Sequence, residues 1–123
     1  MLNNFLGNLK ESINYYKKST KLNPNFSPAY CNLGIIYDKL NNRDTAIKNY
    51  LTAIKIDPKN SNAHYNLGNT YFNIEDLNNA EKHYYFSINI NPNNLYAYNN
   101  LLQIYDRTNN NVKLDKILEK AKK

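Results

Sequence analysis

The sequence predicts an all-α array of stacked antiparallel helix pairs, and three observations carry that prediction. Pro24, Pro58 and Pro92 are spaced 34 residues apart, each in an Asn-Pro or Asp-Pro turn. Gly34 and Gly68 keep the same spacing, and so do Tyr37, Tyr71 and Tyr105. Within one period, apolar residues recur at three- and four-residue steps, the spacing of one helical face. A period of this length marks a small unit that cannot bury its apolar face alone and must stack on its neighbours.

Phase then assigns the elements in order. Residues 1–26 read as a truncated first repeat that begins within its first helix, of which Leu2, Phe5 and Leu6 remain. Asn8 with Glu11 three residues on has capping-box spacing and predicts a second helix starting there. Ser12, Tyr16 and Ser19 are that helix's inward positions by phase.

Residues 27–60 form a complete repeat. Ser27 before Pro28 predicts an N-cap followed by proline at the first helical position. Tyr30, Leu33, Ile36, Tyr37 and Leu40 mark the buried stripe of the first helix. Asn41-Asn42-Arg43 breaks the pattern, and Ala46, Ile47, Tyr50, Ala53, Ile54 and Ile56 mark the second helix. Residues 61–94 repeat the scheme with His64, Leu67, Gly68, Tyr71, Ala80, Tyr84, Ser87 and Pro92. Asn8, Asn42, Asp76 and Asn110 are in phase at the inter-helix breaks, and each can cap the helix behind it.

Residues 95–123 are a last repeat with an atypical, capping-like second helix. Leu102 stands where glycine is expected and Leu114 where alanine is expected. The stripe Leu114, Ile117, Leu118 and Ala121, with lysine elsewhere, suits the polar end cap that arrays need. Gly34, Gly68, Ala46, Ala53 and Ala80 let helix axes approach closely while tyrosine and leucine fill the grooves.

Composition excludes the main competing classes. Asparagine supplies 26 of the 123 residues and mean hydropathy is −0.77, a profile that invites a reading of disorder. Disordered chains lack apolar and aromatic residues, whereas 41% here is hydrophobic and 13% aromatic, spaced to build a core. No apolar run is long enough for a bilayer span, and Asn3 and Asn4 interrupt any secretion signal. One cysteine cannot build a disulfide framework, so an intracellular, cytoplasmic setting is expected and the Asn25-Phe26-Ser27 sequon is expected to go unused.

Catalysis finds little support. His64 and His83 fall at packing positions, Cys31 has no histidine in register, and the three glycines are isolated rather than grouped in a phosphate loop. Glu75-Asp76 lies at an inter-helix break, where a cap is the natural role. No enzyme activity, cofactor, metal or small-molecule substrate is expected.

The pattern resembles the tetratricopeptide repeat, whose signature runs aromatic, Leu-Gly, Tyr, Ala, aromatic, small residue and Pro over 34 residues. Residues 27–60 supply Tyr30, Leu33, Gly34, Tyr37, Ala46, Tyr50, Ala53 and Pro58; residues 61–94 depart only at His64 and Ser87. The resemblance implies a right-handed α-solenoid and a noncatalytic scaffold holding a peptide of a protein partner in a concave groove lined by first helices. By that mapping Asn32, Asn66 and Asn100 form an asparagine ladder, and an amide can pair a ligand N–H and C=O whatever the ligand's side chains.

The other groove positions are Cys31, Ile35, Asp38 and Lys39; Tyr65, Asn69, Phe72 and Asn73; and Tyr96, Asn99, Gln103, Asp106 and Arg107. Tyr65, Phe72 and Tyr96 are candidate apolar anchors. Pro28, Tyr96 and Asn100 stand where family members that clamp acidic chaperone tails carry cations, so that mode is not expected. An alternative reading is a repeat segment of a longer enzyme, such as a protein glycosyltransferase, serving recruitment.

The charge of +6 falls largely on second helices. Lys48, Lys82 and Lys116 are in phase, as are Lys21, Lys55 and Lys123, with Lys18 and Lys120 between the two rows. The stripe reads first as a solvated face that aids solubility. Contact with an acidic partner is the sharper reading; nucleic acid is not expected, since no free aromatic platform accompanies the lysines. Self-association through the exposed truncated first repeat is a further expectation.

Overall fold

The structure, a computed structural model, describes residues 2–122 and the side chains of residues 7–122. Every regular element described is helical: α1 (Leu2–Leu22), α2 (Ser27–Lys39), α3 (Arg43–Ile56), α4 (Ser61–Asn73), α5 (Leu77–Ile90), α6 (Leu95–Arg107) and α7 (Asn111–Lys122). The fold is an all-α solenoid of helix hairpins. Internal contacts divide the chain into two compact units, Met1–Ala63 and His64–Lys123.

Two alternating turns build the repeat, each with its own chemistry. Inside a hairpin the first helix ends in a residue of left-handed backbone: Asn41 (φ 60°), Glu75 (φ 65°) and Asn109 (φ 54°). The next N–H then reaches back five residues, from Asn42 to Tyr37 at 2.9 Å, Asp76 to Tyr71 at 2.9 Å and Asn110 to Tyr105 at 2.8 Å. This closure satisfies carbonyls that a helix end leaves open. The same three residues cap the following helix, their side chains accepting from the N–H of Thr45, Asn79 and Lys113. Each such cap is worth about 1 kcal/mol.

Between hairpins the Asp-Pro or Asn-Pro turn stops one helix, and Asn60 or Asn94 caps the next, accepting from Ala63 N–H at 3.1 Å and Ala97 N–H at 3.2 Å. At the equivalent first turn the capping position is Phe26, which offers no side-chain acceptor. Ser27 is therefore not the cap that its place before Pro28 suggests. It lies within α2 and is buried, donating to the Ala53 carbonyl at 2.9 Å and accepting from the Asn60 amide at 2.8 Å. Its hydroxyl ties the start of α2 to the end of α3.

The first repeat also departs from its phase. Helix α1 runs unbroken through Gly7 and Asn8, so Asn8 opens no second helix. Gly7 has no positive φ, although it is in phase with Asn41 and Glu75. Remaining helical costs about 1 kcal/mol for a glycine but keeps every i→i−4 backbone bond that a turn would surrender. Ser12, Tyr16 and Ser19 are half-buried, as the phase requires. The side chains of Leu2, Phe5 and Leu6 lie outside the described residues, as does Lys123.

Small residues let each hairpin close. A Cβ added to Gly34 would stand 2.6 Å from Tyr50 Cδ1, and one added to Gly68 would stand 2.8 Å from Tyr84 Cδ1. Both rings are buried against these helices, beside the fully buried Ala46, Ala53 and Ala80. In the second unit the core continues through Ile88, Leu101, Ile104, Tyr105 and Ile117. The α7 stripe is only half realised: Ile117 is buried and Leu114 half-buried, but Leu118 and Ala121 are exposed.

Candidate functional site

In the second unit the candidate residues gather around one side chain, Tyr84. It rises from α5 between α4 and α6, and its hydroxyl donates to Asn69 Oδ1 at 2.5 Å. Asn100 closes the triangle, its amide nitrogen lying 3.2 Å from Asn69 Oδ1 and 3.1 Å from the Tyr84 oxygen. Burial pushes the Tyr84 pKa far above the usual phenol value, opposed by the Asn100 hydrogen bond, so the group is a donor throughout the working pH range. Tyr65 and Phe72 pack on the same ring, with centroids 6.0 Å and 6.5 Å away. The Arg107 guanidinium lies over Phe72, 5.6 Å from its centroid, and pairs with Glu75 at 2.5 Å.

Tyr65, Asn69, Phe72, Asn100 and Arg107 thus form one connected set on α4 and α6. Asn69 Nδ2 and Asn100 Oδ1 keep no hydrogen bond among the described residues. Because no fully buried side-chain polar atom there lacks a partner, neither of these two atoms is sealed from solvent. The set presents one donor and one acceptor between two aromatic side chains.

The remaining predicted residues of this unit stand on the same helices. Asn66 is half-buried on α4 and Asn73 is exposed at its end, while Gln103 is exposed on α6. Tyr96, 73% exposed in the first turn of α6, is the most open of the three proposed anchors. Asn32 is half-buried on α2 in the first unit.

Two groove assignments in that first unit meet other uses. Cys31 is buried on α2. Asp38 accepts from the Tyr50 hydroxyl at 2.9 Å and pairs with Arg43 at 3.0 Å, so its carboxylate braces the α2–α3 hairpin.

Two features were not readable from residue types. His64 and His83 are both buried, with their Nδ1 atoms 3.1 Å apart, one donating and the other accepting. Burial, then His64, then Lys82, lowers the His83 pKa to about 4, so it is neutral at pH 7. The clue lay in phase: positions 64 and 83 correspond to Tyr30 and Asn49, a first-helix and a second-helix site in the same hairpin. The second feature is a cleft of about 290 Å³ lined by Glu81, Tyr85, Tyr105, Lys113, Lys116, Ile117 and Lys120. Among the described residues, no group of three or more His, Cys, Asp or Glu side chains is placed to hold a metal ion. No described helix is long and apolar enough to cross a membrane.

Comparison with known proteins agrees with this architecture. Sequence models described as tetratricopeptide repeat match residues 1–26, 15–48 and 61–94, and one described as TPR repeat matches 39–75. Curated proteins yield no match. Among solved structures, a crystal structure of MamA is similar with a TM-score of 0.80 and 26% identity, over 96% of this chain and 69% of that one. A second MamA crystal structure gives 0.79 and 26%, over 96% of this chain and 64% of the other. The first TPR of Spaghetti (RPAP3), bound to the HSP90 peptide SRMEEVD, gives 0.78 at 24% identity, over 84% and 82%. With helix hairpins at 34-residue spacing and family matches overlapping from residue 1 to residue 94, the chain belongs to the tetratricopeptide repeat family.

Proposed function

We propose that the chain is a noncatalytic interaction scaffold whose first helices hold an extended peptide segment of a protein partner. The observation that carries this reading is the Tyr84-centred set. Its hydrogen bonds hold the Asn69 and Asn100 amides in place before any ligand arrives, leaving one donor and one acceptor unused. Pre-ordering removes part of the entropy cost of binding. Tyr65 and Phe72 supply apolar surface beside those amides, and the exposed Tyr96 supplies a third aromatic anchor. Asn32 and Asn66 extend the asparagine series by phase.

The peptide bound by the RPAP3 repeat supports peptide holding as a use to which this fold is put. An acidic chaperone tail is not the ligand we favour for this face. Pro28, Tyr96 and Asn100 bring no cation there, and Arg107 is engaged by Glu75.

The test is selection of peptides from a random displayed library on the immobilised protein, followed by affinity measurement on N100A and Y96A. Truncating an anchor in a small peptide interface costs on the order of 1–2 kcal/mol, roughly a tenfold loss. Peptides that bind both variants as tightly as the parent, with helicity unchanged, would refute this site.

A further inference from the structure

The cleft between α5, α6 and α7 is built from second-helix residues together with Tyr105, apart from the asparagine set. Its floor is Ile117, 3% exposed, and its walls are Tyr85 and Tyr105. Along one side run Lys113, Lys116 and Lys120, spaced three and four residues apart and therefore on one face of α7. Glu81 is the single carboxylate in the lining. It is already engaged, accepting from Tyr105 at 3.1 Å and from Lys113 at 2.7 Å. The Lys120 ammonium lies 5.8 Å from the centre of the Tyr85 ring. Lys116 has no ion pair among the described residues. Two cations thus remain beyond the one that Glu81 neutralises.

We propose that this cleft is a second binding site, which takes an acidic peptide segment of a protein partner. The proposal does not rest on the asparagine face. Three features select the ligand. The ammonium groups stand in a row rather than a cage: Lys113 to Lys120 spans about 10 Å of helix rise, with Lys116 between them. Carboxylates on alternate residues of an extended strand recur every ~7 Å, so two of them can meet two of these lysines. Lysine is also a point charge on a flexible stem, suited to separate carboxylates rather than to the fork geometry of one phosphate. Finally, Lys120 covers the Tyr85 face on which a nucleic-acid base would stack. The apolar floor and tyrosine walls give the peptide's stems a desolvated seat, which strengthens each charge contact.

The site explains why only part of the lysine stripe has acquired walls. Lys48 and Lys82 share the phase of Lys116 and are exposed on α3 and α5, but neither lines this cleft. They provide the control. A fluorescein-labelled peptide of alternating glutamate and serine is titrated into the intact chain and followed by polarisation. The comparison uses K116E/K120E and the charge-matched K48E/K82E, with helicity checked for both. All four lysines are surface residues, so folding is not at stake.

Binding by the parent that falls about tenfold or more in K116E/K120E and less than about threefold in K48E/K82E establishes the site, at moderate salt where long-range charge is screened. Equal losses in both variants mean diffuse attraction and overturn the proposal. So does the absence of peptide binding, and so does binding of a single-stranded RNA oligomer in preference to the peptide.

Discussion

Residues 27–60 and 61–94 share a 34-residue plan, yet their central tyrosines answer to different partners. Tyr50 donates to the Asp38 carboxylate, which Arg43 also grips, whereas Tyr84 donates to the Asn69 amide, which Asn100 also contacts. One turn of helix separates the two acceptors in phase, since Asn69 corresponds to Ile35 and Asp38 to Phe72. The same divergence affects the pair at phases 30 and 49. In the earlier repeat Tyr30 bonds the Pro24 carbonyl and Asn49 bonds Thr45; in the later one, His64 and His83 bond each other. The glycine, alanine and tyrosine of the hairpin seam stay constant because close helix approach demands them. Around that seam the polar network is free to change, and the later repeat has turned it into an arrangement of amides and imidazoles.

The histidine pair offers the largest test of that difference. His83 protonates near pH 6.5 in an unfolded chain but only at about pH 4 in the fold. Between those values the unfolded chain binds a proton that the folded chain refuses, so acidification favours unfolding. The contribution is complete above pH 6.5 and is lost as pH falls to 4, by roughly 3 kcal/mol. H83N installs the residue of the earlier repeat, and its urea-unfolding stability should vary less with pH over that window. Parallel pH profiles for the two proteins would locate the acid sensitivity elsewhere.

Packing at the seam comes next. G34A drives a Cβ into the Tyr50 ring and should cost about 2 kcal/mol, after the gain in helix propensity is set against the overlap. G68A meets Tyr84 at slightly longer distances and should cost less. A reversed order in thermal unfolding would show that the later repeat packs its seam the tighter. The hydroxyls separate the repeats in turn. Y50F removes a bond to a carboxylate and should cost about 2 kcal/mol, whereas Y84F removes one to an amide and should cost about 1. Y84F should also loosen Asn69 and Asn100, visible as faster hydrogen exchange of their side-chain amides.

Much of this architecture was legible because packing imposes periodicity. Gly34, Gly68, Ala46, Ala53, Ala80, Tyr50 and Tyr84 occupy the places their 34-residue phase assigns, and Asn42, Asp76 and Asn110 cap the helices behind them. What escaped depends on three-dimensional pairing rather than on spacing within one helix. Ser27 looked like a cap because serine before proline often is one; its hydroxyl is instead needed by a carbonyl 26 residues away. Asn8 looked like a cap because of its phase, but a local pattern cannot tell whether a turn is worth more than continued helix. For the candidate site, sequence reasoning named Asn69, Asn100, Tyr65 and Phe72 but treated Tyr84 as core alone. Their common dependence on its hydroxyl and ring is a contact between helices, invisible along any one of them. Lys116 was placed on its stripe, yet the tyrosine walls beside Lys120 come from α5 and α6.

The smallest effect discriminates the turns inside the hairpins themselves. Asn41, Glu75 and Asn109 all take left-handed backbone. Asparagine tolerates that region because its short amide can bond locally, but glutamate gains no such relief. Glycine at position 75 removes a strain of about 1 kcal/mol and forfeits an exposed ion pair to Arg107 worth a few tenths. E75G should therefore stabilise the chain by about 0.5 kcal/mol, once the extra freedom glycine brings to the unfolded state is counted. N41G, at the equivalent turn, should change stability by less. If E75G destabilises instead, the Arg107 pair must contribute more than its exposure suggests. Arg107 would then be held over Phe72 by that pair, and the aromatic face of the candidate site would depend on the turn residue of the α4–α5 hairpin.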